Sequence, residues 1–158
     1  MSEIFAKARL APTQVRSVAN RRYDDAVALQ QTGKNARANG AMYMGGYAVE
    51  CLLKARLLEK CKWLQQASSP EGKGAEEKIV WEMCYRRHDL DRLKDYLELE
   101  KEIRSNEKNS QTASKLVQSL KSVCSQWTVH ARYSPQQASI SEAKRFLDEV
   151  KELMRWLR

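Results

Sequence analysis

Along most of this 158-residue chain the apolar positions recur at steps of three and four, the spacing of one face of an α-helix, and nowhere do they alternate as in a half-buried strand. Pro12, Pro70 and Pro135 fall where that pattern pauses, so they divide the chain into long helical blocks. The first block is predicted to start at Thr13, as N-cap after Pro12, to carry Val15, Ala19, Tyr23, Ala26 and Leu29 on one side, and to close at Gly33. The second runs from Lys34 to Leu64 with a stripe of Ala41, Met44, Ala48, Cys51, Ala55 and Leu58. A polar, glycine-containing stretch, Gln65 to Lys78, reads as an exposed loop. After the short apolar run IVWEMCY, Leu90, Leu93 and Leu97 mark a helix that begins near His88, with Asp89 and Asp91 in its first turn complementing the helix dipole. Beyond the polar connector SNEKNSQT, the residues Ala113, Leu116, Val117, Leu120, Val123, Cys124 and Trp127 define another amphipathic helix. The last helix opens with Ser139 and Glu142 as a capping box and repeats Ile140, Ala143, Leu147, Val150, Met154 and Leu157 as a heptad-like seam. The expectation is an all-α, up-down bundle of four to five main helices.

Two glycines interrupt the best helix-forming stretch, YMGGYAVECLLKA. Each costs about 1 kcal/mol relative to alanine inside a helix. The stripe nevertheless keeps its phase across Gly45 and Gly46, which predicts an unbroken helix with a notch where a neighbouring helix or a ligand approaches the main chain.

Size and composition fit one domain over 1–158, with 1–12 loosely ordered and 65–78 exposed. A formal charge of +8 favours polyanionic partners such as nucleic acid, nucleotides or an acidic protein, although a basic surface can serve solubility alone. The four cysteines show no C-x-x-C spacing and the two histidines are far apart, so neither a metal nor a cofactor is expected. Cys51 and Cys124 sit at helical spacing among apolar residues and read as small buried hydrophobes of a reducing compartment. With no apolar leader core and no membrane-length apolar run, a cytoplasmic location is expected and no membrane partner.

Candidate chemistry falls in two places. Tyr43, Tyr47, Glu50 and Lys54, spaced four, three and four, share a face opposite the buried stripe. The plain reading is a half-exposed surface on which Glu50 and Lys54 form an i,i+4 ion pair. The segment SQWTVHARYSP gathers Trp127, His130, Arg132 and Tyr133, which supply a planar fork for phosphate, stacking faces and a group titrating near neutrality. Here too there are structural alternatives: Arg132 pairing with a carboxylate such as Glu50, Tyr133 in the core, His130 solvated. His88 reads first as a polar residue beside a helix start.

Taken together, G-Y-A-V-E-C-L-L-K (Gly46 to Lys54), H-D-L (His88 to Leu90), W-x4-R-Y-S (Trp127 to Ser134) and the closing A-x2-F-x3-V (Ala143 to Val150) resemble the HEPN domain family over most of the chain. The resemblance implies an all-α, usually homodimeric bundle of prokaryotic toxin–antitoxin, defence or nucleotidyltransferase-linked systems. Many members are metal-independent ribonucleases with an R-x4-6-H motif. Here Met83, Glu82 and Trp81 precede His88 at the required offsets, and Ser125, Cys124 and Val123 precede His130, so the motif is absent and catalysis is not expected. The resemblance instead implies Glu50, Lys54, His88, Arg132 and Tyr133 as binding or architectural positions, with Tyr47 and His130 beside them. The expected function is nucleotide or RNA binding by a homodimer, with a nucleotidyltransferase or antitoxin as a further partner. A ribonuclease toxin and a purely structural, partner-holding subunit are the alternatives.

Overall fold

A computed structural model describes residues 10–66 and 69–158. Among them there are seven α-helices and no strand: α1 (Pro12–Gln31), α2 (Ala38–Lys60), α3 (Ala75–Tyr85), α4 (Leu90–Tyr96), α5 (Leu99–Asn106), α6 (Ser110–Gln126) and α7 (Ile140–Leu157). The protein is an all-α bundle, as the periodicity predicts. Most of the segment expected to be loosely ordered lies outside the described residues.

α1 begins at Pro12 itself, a residue whose fixed φ and missing N–H suit the first helical position, and not after it. The turn into α2 uses Gly33 at φ 68°, a left-handed conformation that favours glycine, followed by a 3-10 turn at Asn35–Arg37. α2 then runs back along α1 as the central helix. It buries residues on almost every side, including Leu52, Leu53, Leu57 and Leu58 in addition to the expected stripe. Such all-round burial explains why a single apolar stripe understates this helix.

Further expected boundaries change: the block predicted over Lys34 to Leu64 is an α-helix only over Ala38–Lys60, with 3-10 turns on either side. The exposed loop is shorter than 65–78, because Lys62–Gln65 form a 3-10 turn that buries Leu64, and Ala75–Lys78 already belong to α3, where Glu77 caps the Gly74 N–H. The third block is split, because Glu98 adopts φ 53° between α4 and α5. A non-glycine residue in that conformation costs about 1–2 kcal/mol. The joint is held from both sides: Lys60 donates to the Tyr96 carbonyl at 3.1 Å, and buried Lys94 binds Asp95 at 2.7 Å and Glu100 at 3.3 Å. Lys121 of α6 reaches the same Glu100 at 3.0 Å.

α7 is capped as its sequence predicts, the Ser139 hydroxyl accepting from Glu142 N–H and the Glu142 carboxylate accepting from Ser139 N–H at 2.7 Å. Its Leu147 and Phe146 pack onto α2 at Gly45, where an added methyl would overlap Leu147 Cδ2. At Gly46 the methyl would fall inside the Trp127 indole. The helix is continuous through both glycines, and the notch is filled by these two side chains.

Candidate functional site

The strip of α2 carrying Tyr43, Tyr47, Glu50 and Lys54 is the meeting place of three further elements. Its expected half-exposure is corrected at one end: Glu50 is wholly buried and Lys54 nearly so. The cause is the link between α3 and α4, which folds over them. Lys54 Nζ donates to the Arg87 carbonyl at 2.9 Å and lies 2.6 Å from Glu50, while His88 Nδ1 sits 2.9 and 3.1 Å from the two Glu50 oxygens. A buried carboxylate persists only when its charge and lone pairs are matched, and Lys54 with His88 does this. Facing a carboxylate, Nδ1 is the ring nitrogen placed to donate, and the His88 side chain is 43% exposed.

At the other end, the 3-10 turn Val129–Tyr133 lies against the start of the strip. Buried Trp127 donates its indole N–H to the Tyr43 carbonyl at 2.9 Å, and its ring stacks on Tyr43 at 5.8 Å between centroids. Tyr43 in turn stacks on Tyr47 at 6.3 Å. The Arg132 guanidinium stands 5.6 Å from the Tyr43 ring centre and 5.4 Å from that of Tyr133, close enough for cation–π attraction to both. Its Nε donates to the Val129 carbonyl at 3.4 Å, and among the described residues it pairs with no carboxylate. Two of the three structural alternatives for this turn do not hold: Arg132 does not bind Glu50, and Tyr133 is 77% exposed instead of lying in the core. His130 is exposed, as the solvated reading has it.

The two ends do not touch. Tyr43 and Glu50 are seven positions apart, about 10 Å along a helix axis. Tyr47 spans the interval, and its phenol is raised above the ordinary value by burial and then by the neighbouring Cys51 and Glu50. The sequence reading missed Arg22 of α1, whose Nη1 binds Asp25 at 2.8 Å and whose buried Nε has no hydrogen-bond partner among the described residues. Its positive charge acts on both Tyr47 and Cys51 from the α1 side. No sequence signal separates it from the adjacent Arg21.

Burial pushes the thiols of Cys51, Cys84 and Cys124 up to about 12, which keeps them protonated and inert, as small core residues. Among the described residues no group of three or more histidine, cysteine or acidic side chains could hold a metal ion, and no helix is long and apolar enough to cross a membrane. No protein-family model matches the chain, and neither a curated protein nor a solved structure gives a match.

Proposed function

We propose that this is a HEPN-like nucleotide- or RNA-binding protein, homodimeric and cytoplasmic, that serves a prokaryotic toxin–antitoxin, defence or nucleotidyltransferase-linked system. One observation carries the reading: Arg132 is an exposed guanidinium held between the rings of Tyr43 and Tyr133 with no carboxylate neutralising it. Cation–π attraction to the two rings holds the guanidinium near them and leaves its outer N–H groups for phosphate. Tyr133 offers an open face to a base, an interaction worth about 1–3 kcal/mol in single-stranded nucleic-acid binding. The net charge of +8 draws a polyanion to that surface.

Fluorescence anisotropy with labelled single-stranded RNA and with free nucleotides tests this. Wild-type protein binds with an affinity that falls as salt rises, and Arg132→Ala weakens binding at least several-fold. Unchanged affinity in that variant removes Arg132 from the site.

A second reading, a metal-independent ribonuclease toxin, is favoured by the Glu50–His88 pair, in which a buried carboxylate holds a part-exposed imidazole through Nδ1, as an orienting carboxylate holds a general base. Cleavage of RNA in EDTA to cyclic phosphate ends supports it. Intact RNA at high protein concentration rejects it.

A further inference from the structure

An open groove of about 640 Å³ adjoins the Arg132 stack. Its volume falls in the range of small-molecule sites. Tyr43, whose ring Arg132 approaches, is also one wall of this groove; Met42, Trp127 and Phe146 supply much of its remaining apolar lining. The rim is polar and includes Gln126, His130 and Glu142.

Hydrogen bonds pin the groove in place. Asn39 on α2 donates to the Gln136 carbonyl at 2.7 Å and accepts from Ala138 N–H at 2.9 Å, so the segment leading into α7 is strapped to the start of α2. Asn35 accepts from Ile140 N–H at 2.9 Å just beyond. Opposite this strap, the Trp127 indole is fixed by its bond to the Tyr43 carbonyl.

Several rim groups are uncommitted. The His130 ring makes no hydrogen bond among the described residues. Gln126 uses only its Nε2, toward Ser122, which leaves its carbonyl oxygen. Glu142 uses Oε2 for the Ser139 cap and has Oε1 free, and its carboxyl is held below the usual range by those bonds to Ser139.

We infer that this groove receives a nucleobase whose phosphate is held outside it by Arg132, and that Glu142 favours bases bearing an amino group over uracil. This inference rests on the nucleotide- or RNA-binding reading. Its chemistry follows from the shared wall. A ligand satisfying both halves must have a flat apolar body with hydrogen-bonding edges and, next to it, an anionic group. The negative charge of Glu142 keeps phosphate out of the groove and accepts from an exocyclic amine, as carboxylates do from cytosine N4. The groove also runs on past Met42, Gln126 and Phe146, where Glu142, Arg145 and Glu149 line it.

Anisotropy with three labelled hexamers tests the inference: oligoadenylate, oligouridylate and a chain of six abasic spacers. Wild-type protein binds oligoadenylate at least ten-fold more tightly than the abasic chain. Gln126→Trp, which fills the groove from the end of α6, lowers oligoadenylate affinity at least three-fold and leaves abasic binding unchanged. Should Gln126→Trp melt early, Ser134→Trp fills the groove from the opposite wall with the same expected result. Glu142→Gln keeps the helix cap and reduces the preference for oligoadenylate over oligouridylate at least three-fold.

Full oligoadenylate affinity in the folded groove-filled variant overturns the base site while leaving the Arg132 reading intact; equal binding of oligoadenylate and the abasic chain by wild type overturns both the base site and base stacking on Tyr133, leaving only phosphate binding by Arg132. An unchanged adenylate preference in Glu142→Gln overturns the role of Glu142. If none of the three chains binds, both readings fall together.

Discussion

Along α2 the missing side chains of Gly45 and Gly46 let Leu147 and the Trp127 indole reach the main chain, whereas the adjoining strip of Tyr43, Tyr47, Glu50 and Lys54 meets its neighbours through rings and charge. The glycine side is sealed by close packing and has no room for a ligand. The polar side is bridged at its Glu50 end by charge and left open at its Tyr43 end, where Arg132 and Tyr133 face solvent. Trp127 belongs to both. It fills the Gly46 notch with one edge of its ring and supports Tyr43 with its face and its N–H. The open end therefore gets its rigidity from the closed one: glycines that look like a cost to the helix position the stacking platform.

The contrast can be broken at several points, the largest effect first. Glu50→Ala leaves Lys54 buried without a counter-charge, and truncating one member of a buried pair costs about 3–5 kcal/mol. Urea denaturation of this variant, compared with Glu50→Gln, which retains hydrogen bonding to His88, measures it. A loss below about 1 kcal/mol would mean that the buried charge is better hydrated than the geometry implies.

On the sealed side, Gly46→Ala forces the rigid indole out of the notch, at the upper end of the roughly 1–3 kcal/mol typical of overpacking. In a Trp127→Ala background that cost vanishes, and the gain of about 1 kcal/mol in helix propensity remains. Gly45→Ala overlaps only the end of the flexible Leu147 side chain and meets the Phe146 ring at ordinary contact distance, so rotation of Leu147 and the propensity gain bring the net change near zero. Equal losses at the two glycines would contradict the assignment of the rigid contact to Gly46.

A smaller, pH-dependent effect comes from the core thiols. Burial raises Cys51, Cys84 and Cys124 from 9.0 to about 12, so the folded state holds these protons more tightly than the unfolded chain. Their contribution is fully present below about pH 9 and is lost as pH rises from there toward about 12, by up to roughly 1.4 kcal/mol per unit for each thiol. Denaturation midpoints between pH 8 and 11 should fall, and Cys51→Ala should flatten the fall by one thiol's share. A flat profile would remove the thiols from the account.

The Ser139–Glu142 box and the seam from Ile140 to Leu157 were legible in the sequence, because capping and amphipathic spacing are local and α7 follows both. The glycine pair was legible as a notch, but its occupants lie 81 and 102 positions further along the chain and no local rule names them. Burial of Glu50 depends on the 86–90 link folding over it, a contact set by tertiary packing, so spacing alone placed it on an exposed face. The break at Glu98 was missed because that left-handed residue is not glycine and no proline marks the joint. The segment from Trp127 to Ser134 was legible as a cluster of chemistry, yet the sequence did not show that Arg132 stacks on Tyr43 instead of pairing with Glu50.

Ultraviolet cross-linking of wild-type protein to single-stranded RNA, followed by mass spectrometry of the RNA-bearing peptides, locates the binding surface without any substitution. The account predicts adducts on Tyr133 or Tyr43, in the peptides that flank Arg132 and open α2. Adducts confined to other surfaces, such as the exposed face of α3 around Ile79, would contradict it.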